Sequence, residues 1–323
     1  MHLSRFSVVL PALLLARVAL AQGSPLPQFN LEQLDVNTAA LGSMVVGTGD
    51  TLPAGSLRFS LAGDYENDPL VYYTADGTLA GSVISDRYTV HVVGAWAPTD
   101  WIQFGVDLPV IASQTGVDLR EYGIPIPTRR AIQSPTATVR VRLTNQASGA
   151  LLDSALQVGI RPPIGTDGAW AKEGTIGVAP KLMLGRHFGW LLAGGELGIR
   201  WSPSGVTLPA GSDLPNILGN HFQLAGVLSA GDATGLRGEA SARTTVSLEG
   251  RRGPVELLGG IRYNFGLMEL FALAGPSLGA TGTGSPEFRV MTGLAFGNAA
   301  GLGGMERGTA PAVAPPSTGG TNR

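Results

Sequence analysis

Residues 235–249 alternate, with Thr244 the one exception, between two kinds of side chain. Leu236, Gly238, Ala240, Ala242, Val246 and Leu248 fall on one side, and Arg237, Glu239, Ser241, Arg243, Thr245, Ser247 and Glu249 on the other. A period of two is the mark of an extended strand with two different faces. The pattern recurs: Ala137, Val139, Val141 and Leu143 stand against Thr138, Arg140, Arg142 and Thr144, and Val255, Leu257, Ile261 and Tyr263 against Glu256, Arg262 and Asn264. About twelve such stretches, each about ten residues long, fall near 56–66, 85–97, 101–113, 134–144, 152–162, 174–185, 188–201, 219–231, 235–249, 254–264, 268–278 and 286–296. Ten residues is the length a tilted strand needs to cross a bilayer.

The connections alternate as well. Long ones run from Asn67 to Ile84, Gln114 to Gln133, Pro163 to Glu173 and Ser202 to Leu218; short ones are Pro98-Thr99-Asp100, Arg186-His187 and Gly231 to Thr234. Short turns at one end and long loops at the other are the habit of outer-membrane barrels. The expected fold is therefore all-β: a closed antiparallel transmembrane β-barrel of about twelve strands in an up-and-down meander. A soluble sandwich could use the same alternation with its apolar face in a dry core. It would want more aromatic bulk than the 7% present, and many of the apolar positions here are Gly or Ala. An arginine on the lipid face at mid-bilayer costs about 2–4 kcal/mol. The charged faces must therefore look inward, and one-residue register slips are opposed.

Composition narrows function. Charged residues make up 14% of the 323, the net charge is -2, glycine reaches 47 and cysteine is absent. Near neutrality argues against nucleic acid as a partner. With no cysteine and four histidines, neither a thiolate site nor a His-rich metal site is expected, and no cofactor. Residues 1–21 read as a cleaved signal peptide: Met1, His2 and Arg5 open it, Phe6 to Leu15 are apolar, and Ala19-Leu20-Ala21 is the cleavage site. The remainder divides into a periplasmic lead segment (22–55), the barrel (56–297) and a flexible Gly/Pro/Thr-rich periplasmic tail (298–323). Both termini are expected in the periplasm. The expected surroundings are outer-membrane lipid and lipopolysaccharide, and the barrel-insertion machinery would read the final strand, Arg289 to Phe296.

The segments Phe29-Asn30-Leu31-Glu32-Gln33-Leu34-Asp35-Val36-Asn37, Val45-Val46-Gly47-Thr48-Gly49-Asp50 and Leu61-Ala62-Gly63-Asp64-Tyr65-Glu66-Asn67-Asp68-Pro69-Leu70 resemble the N-terminal barrel region of OmpA-family outer-membrane proteins of the myxobacterial type. The resemblance spans about residues 27–297, its later part carried by pattern rather than motif. It implies a barrel and an outer-membrane location. The family's peptidoglycan-binding domain has no counterpart here, so that activity is not carried over.

The face taken as lumenal holds Arg87, His91, Arg140, Arg142, Arg161, Lys181, Arg200, Arg243, Arg262 and Arg289, against Asp107, Glu196, Glu239, Glu256, Glu269 and Glu287. Two readings stay open. The charges pair and fill a narrow barrel, or a basic ladder lines a small pore favouring anions, its passage either unobstructed or closed by the lead segment 22–55 folding inward. The expected function is thus a narrow passive channel for small solutes or a structural barrel; a barrel-embedded hydrolase or a surface adhesin is the alternative. No Gly-x-Ser-x-Gly motif is present, and His221 and Ser229 would lie about 27 Å apart along one strand. His187 reads as a solvated turn histidine, and Asp64, Glu66 and Asp68 as a solvated junction. Trp96, Trp101, Trp190, Trp201, Phe265 and Phe296 lie near strand ends and read as an aromatic girdle at the headgroups.

Overall fold

In a computed structural model of the chain, the described residues are 29–74, 76–202, 220–231, 235–248, 252–279, 282 and 284–297. The strands are β1 (Ser56–Tyr73), β2 (Leu79–Thr99), β3 (Ile102–Thr115), β4 (Ala131–Ile132), β5 (Thr136–Thr144), β6 (Asp153–Arg161), β7 (Gly177–Phe188), β8 (Leu191–Arg200), β9 (His221–Gly231), β10 (Gly235–Ser247), β11 (Arg252–Asn264), β12 (Met268–Leu278) and β13 (Phe288–Gly297). Apart from β4, each strand pairs antiparallel with the next in the chain, β3 passing directly to β5, and β1 pairs with β13 from Arg58↔Gly297 to Asn67↔Phe288, closing the sheet. Twelve strands form the ring. The extra one, β4, is a two-residue ladder on β3 (Val110↔Ile132, Ile111↔Ala131), taking up the edge of β3 that β5 leaves after Asp107↔Thr136. Closure leaves no free edge in the ring, which a bilayer requires of any sheet within it. No helix among the described residues is long and apolar enough to cross a membrane.

The first hairpin differs from expectation. Asn67-Asp68-Pro69 reads as the start of a long loop, but β1 and β2 continue past it to a tight connection at 74–78. The turn-like residues are absorbed as a register shift between Asn67 and Leu70, with Asp68 at φ 49°. The hairpin therefore overshoots the ring and helps cap its loop-bearing end.

The two faces separate as the bilayer demands. Leu57, Leu228 and Ile261 point outward and are exposed, while Arg87, Arg140, Arg262 and Arg289 point inward and are fully buried. Trp96, Trp101, Trp190, Phe265 and Phe296 are exposed around the end with the short connections, the turn end. There Trp96 stacks on Phe104 with centroids 6.0 Å apart. Trp201 is also exposed, but at the loop end.

Residues 29–52, expected as a periplasmic lead, lie instead inside the ring, almost all of them buried. Phe29 and Leu31 pack at the loop end against Leu70, Ile84, Leu119 and Trp170, whereas Leu41 and Leu52 pack near the turn end with Ala95 and Ala97. The chain thus runs down through the barrel before β1 begins. The two described ends, Phe29 and Gly297, lie at opposite ends of the ring. The expected signal peptide (1–21) and tail (298–323) lie outside the described residues.

Candidate functional site

The internal segment forms no regular secondary structure beyond one isolated bridge, Asn30↔Ala171. Its peptide groups therefore need partners from elsewhere, because unpaired N–H and C=O groups are costly at membrane depth. The wall supplies them. Arg200 donates to the carbonyl of Glu32 at 2.7 Å and Arg243 to that of Gln33. Arg237 donates to Leu41 at 3.1 Å, Arg262 to Ala40, Arg140 to Asp50 at 2.9 Å and Arg142 to Thr51 at 3.2 Å. The acceptors are equally specific: Glu239 takes the Met44 amide at 3.2 Å, Glu196 the Gly47 amide at 2.8 Å and Gln103 the Leu52 amide at 3.0 Å. The lumenal charges thus act as backbone binders for a plug.

Three charge clusters brace this arrangement. Arg289 meets Glu66 at 2.8 Å, Glu256 at 2.6 Å, Asp64, and Glu32 of the plug at 3.2 Å. Glu269 accepts from Arg58 at 3.0 Å, Arg237 at 2.8 Å and Arg262 at 2.6 Å. Lys181 joins Glu196 at 2.9 Å to plug Asp35 at 2.8 Å, and Arg161 also pairs with Asp35. Asp64 and Glu66 are accordingly buried charge partners and not a solvated junction. Glu287 is exposed just before β13 and does not enter the lumen. Arg87 binds Gln114 at 3.0 Å and the Ala169 carbonyl at 3.1 Å, so it braces a loop rather than the plug.

The lumen also has an apolar half, with no counterpart in the expected polar lining. Leu34, Val36, Ala40, Met44, Val45 and Val46 of the plug bury against Val93, Val227, Leu258, Phe271, Leu273 and Met291 of the wall. Between plug and wall near His91, Asp107, Arg161 and Lys181 a cavity of about 30 Å³ remains. That is room for about one or two waters.

Glu32 meets Arg289 of the wall at 3.2 Å and accepts from the Leu34 amide at 2.6 Å, so one carboxylate ties the plug to the ring and shapes the plug's own backbone.

His91 is buried with Nδ1 3.1 Å from Asp107, and among the described residues no hydroxyl hydrogen-bonds to its Nε2. His187 is not a solvated turn residue: it lies near the end of β7 with Nε2 3.4 Å from Asp50.

No protein-family model matches the sequence, and no curated protein matches it. Solved structures do match. The COG4313 outer membrane channel from Pseudomonas putida F1 superposes with a TM-score of 0.54 at 14% identity, over 77% of this chain and 97% of that one. A monoaromatic hydrocarbon channel, CymD, gives 0.40 at 8% identity over 83% and 98%. Outer membrane phospholipase A from Escherichia coli gives 0.38 at 12% identity over 76% and 91%. At these identities the first likeness shows a shared fold, that of an outer-membrane barrel, and the weaker two carry no argument.

Proposed function

We propose that the protein is an outer-membrane channel held shut by its own N-proximal segment. The observation that carries this reading is the plug: residues 29–52 fill a twelve-stranded ring and are tied to it by side chains from most of the wall. A barrel needing only rigidity has no reason to devote its buried arginines to the backbone of an irregular segment. A permanently open anion pore is disfavoured, because Arg140 and Arg142 are engaged with the plug. Neutralising Arg140 is therefore expected to raise the frequency of opening rather than to change ion preference.

The absence of cysteine allows a direct test. A β-carbon on Gly194 would stand 3.3 Å from Thr48 Cβ, a few tenths of an ångström inside the range a disulfide spans. In planar bilayers the Thr48→Cys/Gly194→Cys protein is expected to show no conductance steps when oxidised and wild-type steps after reduction. Equal conductance in both states would mean that the plug does not gate the barrel. No steps in either state, nor in wild type or Arg140→Met, would leave a structural barrel.

A further inference from the structure

We propose that Asp50, Asp153 and His187 form a binding site for a divalent transition metal of the Zn²⁺ type, which latches the plug to the wall at the turn end. One ligand atom from each of the three lies within 4.8 Å of the others. They come from three places in the chain: Asp50 from the plug, Asp153 from the first position of β6 and His187 from the end of β7. One imidazole and two carboxylates suit zinc and its neighbours, with further positions left for solvent. Two ligand atoms bound tetrahedrally at about 2.0–2.1 Å lie about 3.4 Å from each other. The His187 Nε2 to Asp50 Oδ2 separation is already 3.4 Å, and a ligand atom of Asp153 lies within 4.8 Å of one on each of the other two.

The surroundings hold the ligands in place. Gln146 donates to the His187 carbonyl at 3.0 Å and accepts from its amide at 3.0 Å, fixing the backbone beneath the imidazole. The Gln146 amide donates to Asp153 Oδ1 at 2.8 Å. Asp50 accepts from the Thr48 hydroxyl at 3.2 Å, and Arg140 holds its carbonyl. Such outer partners are typical of metal sites.

Asp50 and Asp153 bring two carboxylates beside the His187 imidazole in a largely buried corner, so the donor set carries the negative charge that a divalent cation balances. The other close acidic group, Glu32, Asp64 and Glu66, is by contrast already centred on Arg289. The ligands lie 50, 153 and 187 residues along the chain, which is why no metal spacing is visible in the sequence.

The latch rests on the gated-channel reading; the metal site does not. Calorimetry on full-length, tag-free protein in detergent, stripped with EDTA, is expected to show one Zn²⁺ bound per chain with micromolar Kd. Co²⁺ in its place should give visible d–d bands. His187→Gln and Asp50→Asn, checked for folding by heat-modifiable gel mobility, should each weaken binding about tenfold or more. No stoichiometric binding, or equal binding in the variants, overturns the site. Latching is read without conductance, from maleimide labelling of Val45→Cys, which Zn²⁺ should slow in the otherwise wild-type chain but not with His187→Gln. Binding with no effect on labelling would overturn the latch, and protection by Zn²⁺ in a protein that never conducts would overturn the channel reading alone.

Discussion

Replacing Arg289 with leucine is expected to destabilise the barrel by about 3–5 kcal/mol and to free the plug inside it. The guanidinium is fully buried and touches Asp64, Glu66, Glu256 and Glu32. Three of these stand on the wall, on β1 and β11, and the fourth on the plug. Removing the cation leaves four carboxylates together in a space that excludes water, with Arg243 against Glu256 at 3.4 Å and Arg87 against Glu66 at 4.0 Å, and Asp64 and Glu32 losing the cation they share, the circumstance in which breaking an ion pair is most damaging. Relief comes by protonation or by parting the plug from the wall, and only Glu32 belongs to a segment with no ladder of its own to hold it. The expected signature is a lower urea midpoint for the detergent-folded protein, together with faster maleimide labelling of Val45→Cys. Adding Glu32→Gln to Arg289→Leu should recover part of the loss, since residues of one network do not act additively. A single variant with wild-type midpoint and wild-type labelling would show that the cluster carries neither function.

What the sequence makes legible, and what it does not, follows from which residues repeat. Arg237, Glu239 and Arg243 alternate with Leu236, Gly238 and Ala242, so the strand, its phase and the inward direction of its charges are readable from this segment alone. Asn67-Asp68-Pro69 misleads because a register shift in a long hairpin uses the same residues as a loop start. The plug is harder still. Phe29, Leu31, Leu34, Val36, Met44, Val45 and Val46 follow no period of two or of 3.6, so nothing local says what they pack against. One signal was available: the inward face holds more guanidinium groups than its carboxylates can pair. Those groups need acceptors, and the carbonyls of an irregular chain provide them. The three ligands of the proposed metal site leave no trace in spacing, because the fold alone brings a plug residue beside the ends of two strands.

Glu269→Leu is expected to cost a comparable 3–5 kcal/mol while leaving the plug in place. Glu269 is wholly buried and accepts from Arg58, Arg237 and Arg262, so its loss strands three guanidinium groups on β1, β10 and β11. Arg262 keeps Glu239 at 3.5 Å, and Arg237 and Arg262 keep the plug carbonyls of Leu41 and Ala40. Cations left without a carboxylate press harder on those carbonyls, whereas the acids left by Arg289→Leu repel Glu32. The two variants should therefore match in urea midpoint and diverge in plug exposure: Val45→Cys labelling fast with Arg289→Leu, near wild type with Glu269→Leu. Glu269→Gln, which keeps one neutral acceptor, should fall between wild type and Glu269→Leu in stability. If Glu269→Leu released the plug as readily as Arg289→Leu, plug retention would follow overall barrel stability, and the division of labour between the two clusters would be wrong.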